Sequence, residues 1–317
     1  MKRLQFNLRL VAAMILSLVV INVAAVRASA QEVVASYADL NGTIIKYRVS
    51  DGAQVSRIQQ VYRLYGVTYL PTRIAVEDNA SDYVVFGNRY LARLNSSDGA
   101  ILWLVDAGAK VAYTTYIVAD IAVAGGAVFV SNNDPGGRIS KYRASDGVLI
   151  WSVQRAVQVG SLGQLPLKLA AVGGDYFYAA LGYQFLAKLS QRDGSIISQS
   201  AIPLTYFFDP FGVADLTAGG GFAYLANVDP RGTVRKFNSA GSLVWQISSL
   251  YRVGLIWHMP TKLAVVGSDP IMALYGDRYL ARLRATDGQV VWIRDISLPY
   301  GGYSYLSPTD IAAIGTP

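Results

Sequence analysis

The sequence predicts an all-β fold, a six-bladed β-propeller of four-stranded antiparallel blades, and three observations predict it. The first is a hairpin written six times. ATDGQVVW, starting at Ala285, has near-copies SSDGAILW from Ser96, ASDGVLIW from Ala144 and SAGSLVW from Ser239, with weaker versions VSDGAQV and QRDGSII. Asp-Gly between two apolar runs is a hairpin-turn signal. The second is the period: the turn glycines Gly52, Gly99, Gly147, Gly194, Gly241 and Gly288 are spaced by 47, 48, 47, 47 and 47 residues. A fixed period in the forties with β patterning is what propeller blades produce. The third is the ends. After residue 30 the chain opens with three strands of a blade, VVASYAD, TIIKYRV and AQVSRI, and it finishes on SPTDIAAIG, which matches the first strand of the other repeats (MPTKLAVVG, LPTRIAVED). The last strand therefore completes the first blade, closes the ring and covers edges that would otherwise invite aggregation.

Within one repeat the four strands follow in order. PTKLAVVG is strand A, innermost in the ring; PIMALYG is strand B, YLARLRA strand C and QVVWIRD strand D. Each is short, rich in β-branched or aromatic residues and bounded by Gly, Asp, Asn or Pro. No amphipathic helical pattern appears after residue 30. A longer period of 94–95 residues lies over the blade period. YLARL, FLAKL and YLARL fill strand C at Tyr90, Phe185 and Tyr279, while TIIKY, RISKY and TVRKF fill it at Thr43, Arg138 and Thr233. The duplicated unit is a pair of blades, so the ring is threefold in chemistry and sixfold in backbone.

Ahead of the repeats, residues 1–30 read as a signal peptide. Lys2, Arg3 and Arg9 precede an apolar run from Leu10 to Val26, and Ala28-Ser29-Ala30 supplies the small-residue cleavage site. Basic start, apolar middle and A-x-A end are the export pattern. The run is 17 residues long, close to the roughly 20 of a spanning helix, so an uncleaved anchor is the alternative, and a membrane is a partner only in that case. The organisation is thus 1–30 signal peptide and 31–317 one propeller, secreted or at the cell surface. Three N-x-S/T sequons, at Asn41, Asn79 and Asn95, suit an exported chain.

Composition excludes several functions. The formal charge of +7 falls to +3 when the four basic residues of the first 30 are removed, and no Lys/Arg cluster follows. That argues against a nucleic-acid partner. There is no Cys, a single His (His258) and only two Glu (Glu32 and Glu77). Disulfides, thiolate metal sites, His-cluster zinc sites and Glu–Glu catalytic pairs are all excluded, and the expected cofactor is none.

The stretch Asp209 to Trp245, DPFGVADLTAGGGFAYLANVDPRGTVRKFNSAGSLVW, resembles an NHL repeat, whose family forms six-bladed propellers. The hairpins RATDGQVVW and RASDGVLIW also resemble the PQQ-like repeats of quinoprotein-type propellers. The resemblance covers the chain after residue 30 and implies the fold; such propellers include enzymes, ligand binders and protein-docking modules. Quinone-dependent members generally use eight blades and a vicinal disulfide, and the zinc-dependent lyases of the NHL-like group use several His. Six blades without Cys and with one His depart from both patterns.

Four sets of residues could carry function. In strand A, the residue before the recurring apolar position is Arg73, Asp120, Lys168, Asp215, Lys262 and Asp310, alternating in sign all the way round. This column reads as a channel ring of ion pairs between blades, with an ion or polar ligand on the axis as the alternative. The segments joining strand D to the next strand A are long and aromatic: VYRLYGVTYLPT, YTTYIV, LTYFFDPF, LYRVGLIWHMP and PYGGYSYLSP. Tyr and Trp pair a broad apolar face with a polar handle, so this face is expected to bind a protein, peptide or glycan, although the same rings could simply cover the core. Its candidates are Tyr62, Arg63, Tyr69, Tyr116, Phe211, Tyr251, Arg252, Trp257 and His258. By register Tyr69, Tyr116, Gln164, Phe211, His258 and Leu306 form a second ring, read as the axis-side lip of that face. His258 stands there in place of an aromatic; packing explains it, and a catalytic role with Asp215 as its acid–base partner is the rival. Finally, Asp39, Asp134 and Asp229 recur at intervals of 95 in alternate B–C loops. An Asp that turns the chain through its own hydrogen bonds explains them; a calcium site is the alternative. The leading expectation is an exported binding scaffold that is not an enzyme. Its competitors are a secreted lyase or hydrolase at the channel mouth, and a structural component of the cell surface.

Overall fold

A computed structural model describes residues 31–159, 162–182, 184–203, 212–227, 229–300 and 304–314. Six four-stranded antiparallel sheets follow one another, five with their strands in sequence order and the first with the C-terminal strand innermost. Blade 1 holds Pro308–Ala313 as strand A, then Glu32–Tyr37, Thr43–Arg48 and Gln54–Gln59. Blades 2 to 6 begin with strands A at Pro71–Val76, Val118–Ala124, Pro166–Ala171, Val213–Gly219 and Pro260–Val265. Among the described residues there is no helix. The read export signal lies outside the described residues.

The last strand closes blade 1 as the sequence predicts. Val33 to Ser36 pair with Ala313 back to Asp310. Ile314 N donates to Glu32 O at 3.0 Å, and the hydroxyls of Ser36 and Thr309 meet at 3.0 Å. The core is correspondingly divided into six buried clusters, each shared by two neighbouring blades. One joins Ala264, Met272 and Leu274 of blade 6 to Val33, Ala35 and Ile45 of blade 1; another joins Val34 and Ile44 to Ile74 and Val84 of blade 2. Burial therefore lies between blades, at about 25 cal/mol per Å² of apolar surface, and no blade has a core of its own.

The repeated hairpin explains itself at these seams. Trp103 Nε1 donates to Ala144 O at 2.9 Å, Trp151 to Gln191 O at 3.2 Å, Trp245 to Ala285 O at 3.2 Å and Trp292 to Val49 O at 3.1 Å. Each indole thus reaches from strand D of its own blade to the next. There it lies on the turn glycine: a Cβ on Gly147, at φ +74, would come within 2.8 Å of the Trp103 ring, and Gly52 stands in the same relation to Trp292. Blades 1 and 4 carry Ser56 and Ser198 in place of the Trp. At the first of these seams a buried polar set replaces the indole: Lys46 Nζ donates to Ser96 Oγ, which donates to Asp82 Oδ1 at 2.7 Å.

Two bulges recur in every blade. In strand A the extra residue precedes the charged column; Pro71 pairs with Phe86 and Arg73 with Val85, leaving Thr72 unpaired. In strand D it precedes the Trp position; Arg93 pairs with Trp103 and Leu94 with Ile101, leaving Leu102. A bulge re-aims a side chain and twists an exposed edge away from further pairing. The inner bulge aims the charged column at the axis, and the outer one blunts the rim.

One element differs from expectation. The D-to-A segments, read as loops, contain small antiparallel hairpins: Tyr62–Leu64 with Val67–Tyr69, Ala109–Val111 with Thr114–Tyr116, Val157–Val159 with Leu162–Gln164, Tyr251–Val253 with Ile256–His258, and Leu298–Tyr300 with Ser304–Leu306. The equivalent stretch before blade 5 lies outside the described residues, and Phe211 with it. By strand order the hairpins share a side with the B–C turns, and the A–B and C–D turns occupy the other.

Candidate binding face

The charged column comes first, because it is next to the axis. Three ion pairs cross between blades: Arg73 Nε to Asp120 Oδ1 at 3.8 Å, Lys168 Nζ to Asp215 Oδ1 at 3.4 Å, and Lys262 Nζ to Asp310 Oδ1 at 3.0 Å. Each Asp uses its other oxygen on the blade that follows. Asp120 Oδ2 accepts from Leu169 N at 2.8 Å, Asp215 Oδ2 from Leu263 N at 2.7 Å, and Asp310 Oδ2 from Ile74 N at 3.0 Å. The ring therefore alternates an ion pair with a charge-assisted backbone hydrogen bond, so ion pairs cross three of the six blade junctions and Asp-to-amide bonds cross the other three. The six side chains bind the blades to one another through these contacts.

The three pairs are not equivalent. Arg73 also donates to Ala119 O at 2.9 Å and to Thr72 O at 2.6 Å, and its pair with Asp120 is the longest. Burial pushes the Asp120 carboxyl up to about 6, and the Lys168 ammonium offsets only part of that. Burial also works to raise Asp310, but the Lys262 ammonium, with Arg73 and Lys168 behind it, outweighs it and holds the carboxyl below its ordinary value.

Around the opposite end of the same connections, the hairpins carry aromatic rings inward and apolar tips outward. Tyr62 and Tyr69 pair across their hairpin and both rings pack on Tyr90, at 5.0 and 4.9 Å between centroids. Tyr251 and His258 repeat the arrangement on Tyr279, at 5.4 and 5.0 Å. Gly87 and Gly276 in the B–C turns make room for Tyr69 and His258. These four side chains are half-buried against strand C, the third strand from the axis, so Tyr69 and His258 seat their hairpins on the blade. No hydrogen bond joins His258 to Asp215, whose oxygens meet Lys168 and Leu263 N. Gln164 and Tyr116 end the equivalent hairpin strands, where Tyr116 pairs with Ala109, and Leu306 pairs with Leu298.

The residues that do face outward include three of the candidates, Arg63, Arg252 and Trp257, together with tip residues that were not among them. Arg63 and Arg252 are exposed, and Arg252 lies over the Trp257 ring at 5.4 Å. Tyr65 is 96% exposed, Leu255 88%, Ile256 64% and Trp257 57%, with Tyr113 fully exposed. Of these only Trp257 stands out by composition. Tyr65 and Leu255 reach solvent because they sit at two-residue turns, beside Gly66 and Gly254, both with positive φ. That turn glycine, flanked by residues that pair across it, is the signal in the sequence that marks a tip.

The recurring aspartates of the B–C turns act on their own backbone. Asp39 accepts from Thr43 N at 2.6 Å and Thr43 Oγ1 at 2.8 Å; Asp134 accepts from Arg138 N at 2.8 Å; Asp229 accepts from Arg231 N and Thr233 N, both at 3.0 Å. Among the described residues no group of three His, Asp or Glu converges as metal ligands would.

Six four-stranded blades carrying the PQQ-like hairpin, an axis lined by paired charges and hairpins on one side define a β-propeller of the PQQ-like type. The chain belongs to the family described as outer membrane protein assembly factor BamB, whose model matches residues 40–206. No curated protein matches it. Among solved structures, a protein of unknown function from Bacteroides caccae aligns at 13% identity with a TM-score of 0.59, covering 90% of this chain and 99% of the other. The β-propeller domain of Myceliophteria thermophila Cps50 (Swd1) aligns at 10% identity and 0.55, covering 82% of each. BamB from Moraxella catarrhalis aligns at 17% identity and 0.42, over 84% of this chain and 74% of its own. The family match is of the PQQ-like kind, and the NHL-like resemblance does not enter it.

Proposed function

We propose that this chain is an exported, non-catalytic scaffold that holds a protein partner on the hairpin side of its propeller. The observation that carries the reading is the exposure of Tyr65, Tyr113, Leu255, Ile256 and Trp257 at hairpin tips that contribute little to any buried cluster. Large aromatic and aliphatic side chains presented on a rigid frame are the usual anchors of protein interfaces. Membership of a family named for outer-membrane protein assembly supports a protein as the partner, and supports export together with the signal pattern of residues 1–30.

A photo-crosslinking residue at position 255 or 65, introduced in the native organism, tests this directly. The expected result is a discrete protein adduct from both hairpins and none from Ile197 on the outer rim. Equal labelling from rim and hairpins, or none from the hairpins, would overturn it, as would recovery of the protein in the cytoplasmic fraction.

A further inference from the structure

Charge is distributed unequally between the two sides of the ring, and this indicates what kind of partner the hairpins fit. The A–B and C–D turns, on the side away from the hairpins, carry Asp51, Glu77, Asp78, Asp98, Asp146, Asp175, Asp193, Asp269 and Asp287. Of these, Asp51, Asp146 and Asp287 pair with Arg48, Arg143 and Arg284 in exposed turns, and the rest form no ion pair among the described residues. On the hairpin side, by contrast, nearly every described carboxylate is engaged. Asp106 is held by Arg89 Nε at 3.1 Å and Nη2 at 2.7 Å, and Asp295 by Arg278 Nη2 at 2.6 Å. Asp39, Asp134 and Asp229 are buried in their turns. Asp277 is the exposed acid that remains there among the described residues.

The cations of the hairpins have the opposite character. Arg63, Lys110 and Arg252 are exposed, and none forms an ion pair among the described residues. Arg63 and Arg252 occupy the same register in two hairpins of the same class. Each stands across from Thr68 or Trp257, one residue in from an apolar pair, Leu64 with Val67 or Val253 with Ile256. Arg252 is steadied by the Trp257 ring and by donating its Nε to Gly254 O at 2.9 Å, and its terminal nitrogens make no hydrogen bond or ion pair among the described residues. A guanidinium fork held in place next to apolar surface is arranged to take a carboxylate flanked by apolar side chains.

We propose that the hairpins Tyr62–Tyr69 and Tyr251–His258 dock an acidic protein segment in which carboxylates alternate with apolar side chains. This rests on the protein-docking reading above and adds the chemistry of the partner. Charge complementarity selects the occupant. An anionic membrane, which would also favour cations beside apolar tips, is attracted by clusters of roughly four to eight basic residues, and here three are spread over three hairpins.

The test uses the whole chain and a fluorescein-labelled twelve-residue peptide of alternating Asp with Leu or Phe. Two control peptides carry Asn for every Asp or Ser for every apolar residue. The expected result is saturable binding of the acidic peptide, weakened by salt, and at least tenfold weaker binding of both controls. Arg63→Gln with Arg252→Gln should also lower affinity about tenfold with an unchanged melting temperature. Equal binding of the Asn peptide, or an unaffected double variant, overturns the proposal; so does absence of binding. If Leu255→Ser with Trp257→Ala abolishes peptide binding while the arginine variant does not, the docking face survives and its acidic preference falls. If neither variant matters, both readings fall. Binding to phosphatidylglycerol vesicles but not to the peptide would overturn the proposal in favour of a membrane.

Discussion

The inner ring and the hairpin tips lie a few residues apart in sequence, and they use their side chains in opposite ways. Lys262 follows His258 by four residues, yet it is buried and paired to Asp310 at 3.0 Å, while Leu255, three residues before that histidine, is 88% exposed. Near the axis every charge is spent on holding neighbouring blades. At the tips almost nothing is spent on the fold. Polar groups in a propeller channel therefore need not signal a site there, and function is free to vary where stability does not depend on the residue.

Three measurements would break or sharpen that contrast. The largest effect is expected from Asp310→Ala, which strands the Lys262 ammonium, leaves the Ile74 amide without its acceptor and loosens the blade that closes the ring. Removing one member of a buried pair costs about 3–5 kcal/mol, so the urea midpoint should fall steeply; a loss below about 1 kcal/mol would mean that the ring is not structural.

Next is a pH effect that separates Asp120 from Asp310. With its carboxyl raised to about 6 from the ordinary 3.8, the folded protein keeps a proton that the unfolded chain has already released. Stability contributed by that carboxyl is therefore present below the unfolded value and lost as pH rises through about 6. Asp310, held low, has the opposite sign: its contribution is lost as pH falls through its depressed value. Across pH 4 to 6 the unfolding free energy of wild type relative to Asp120→Asn should drop by on the order of 2 kcal/mol. Parallel pH profiles for the two proteins would show that Asp120 titrates normally.

The smallest effect belongs to the tips. Leu255→Ser with Trp257→Ala should change stability by no more than about 0.5 kcal/mol, the range of surface substitutions. A fall of 2 kcal/mol or more in chemical denaturation would place these side chains in the fold and remove the contrast altogether.

Much of this architecture was legible in the residues. Turn glycines at a fixed period fixed the blades, and the match of SPTDIAAIG to the other strands A located the closure. The alternation of Arg73, Asp120 and their equivalents could be read as well, though not that each Asp would divide its oxygens between a cation and an amide. That division depends on the bulge at Thr72 and its counterparts, and a one-residue shift of pairing leaves no mark in composition. The hairpins escaped for a related reason. Strands of three residues are too short to display alternation, and their Tyr-rich content looked like loop. Register counted back from strand A therefore favoured Tyr69 and His258, which pack, over Tyr65 and Leu255, which project.

The Trp-on-Gly contact has a bearing on how such a ring grows. Gly147 and Trp151 are four residues apart in one hairpin, yet Gly147 receives the indole of the preceding blade while Trp151 goes out to the following one. Blades 3 and 6 thus carry a filled socket on one side and a plug on the other, while blades 2 and 5 carry the plug alone and blades 1 and 4 the filled socket alone. A copy of blade 3 or blade 6 placed beside its original arrives with both halves and finds their complements waiting. The unit that is copied in the gene is a pair of blades, and the unit that holds is the joint between two neighbours, so duplication and cohesion follow different boundaries in the same ring.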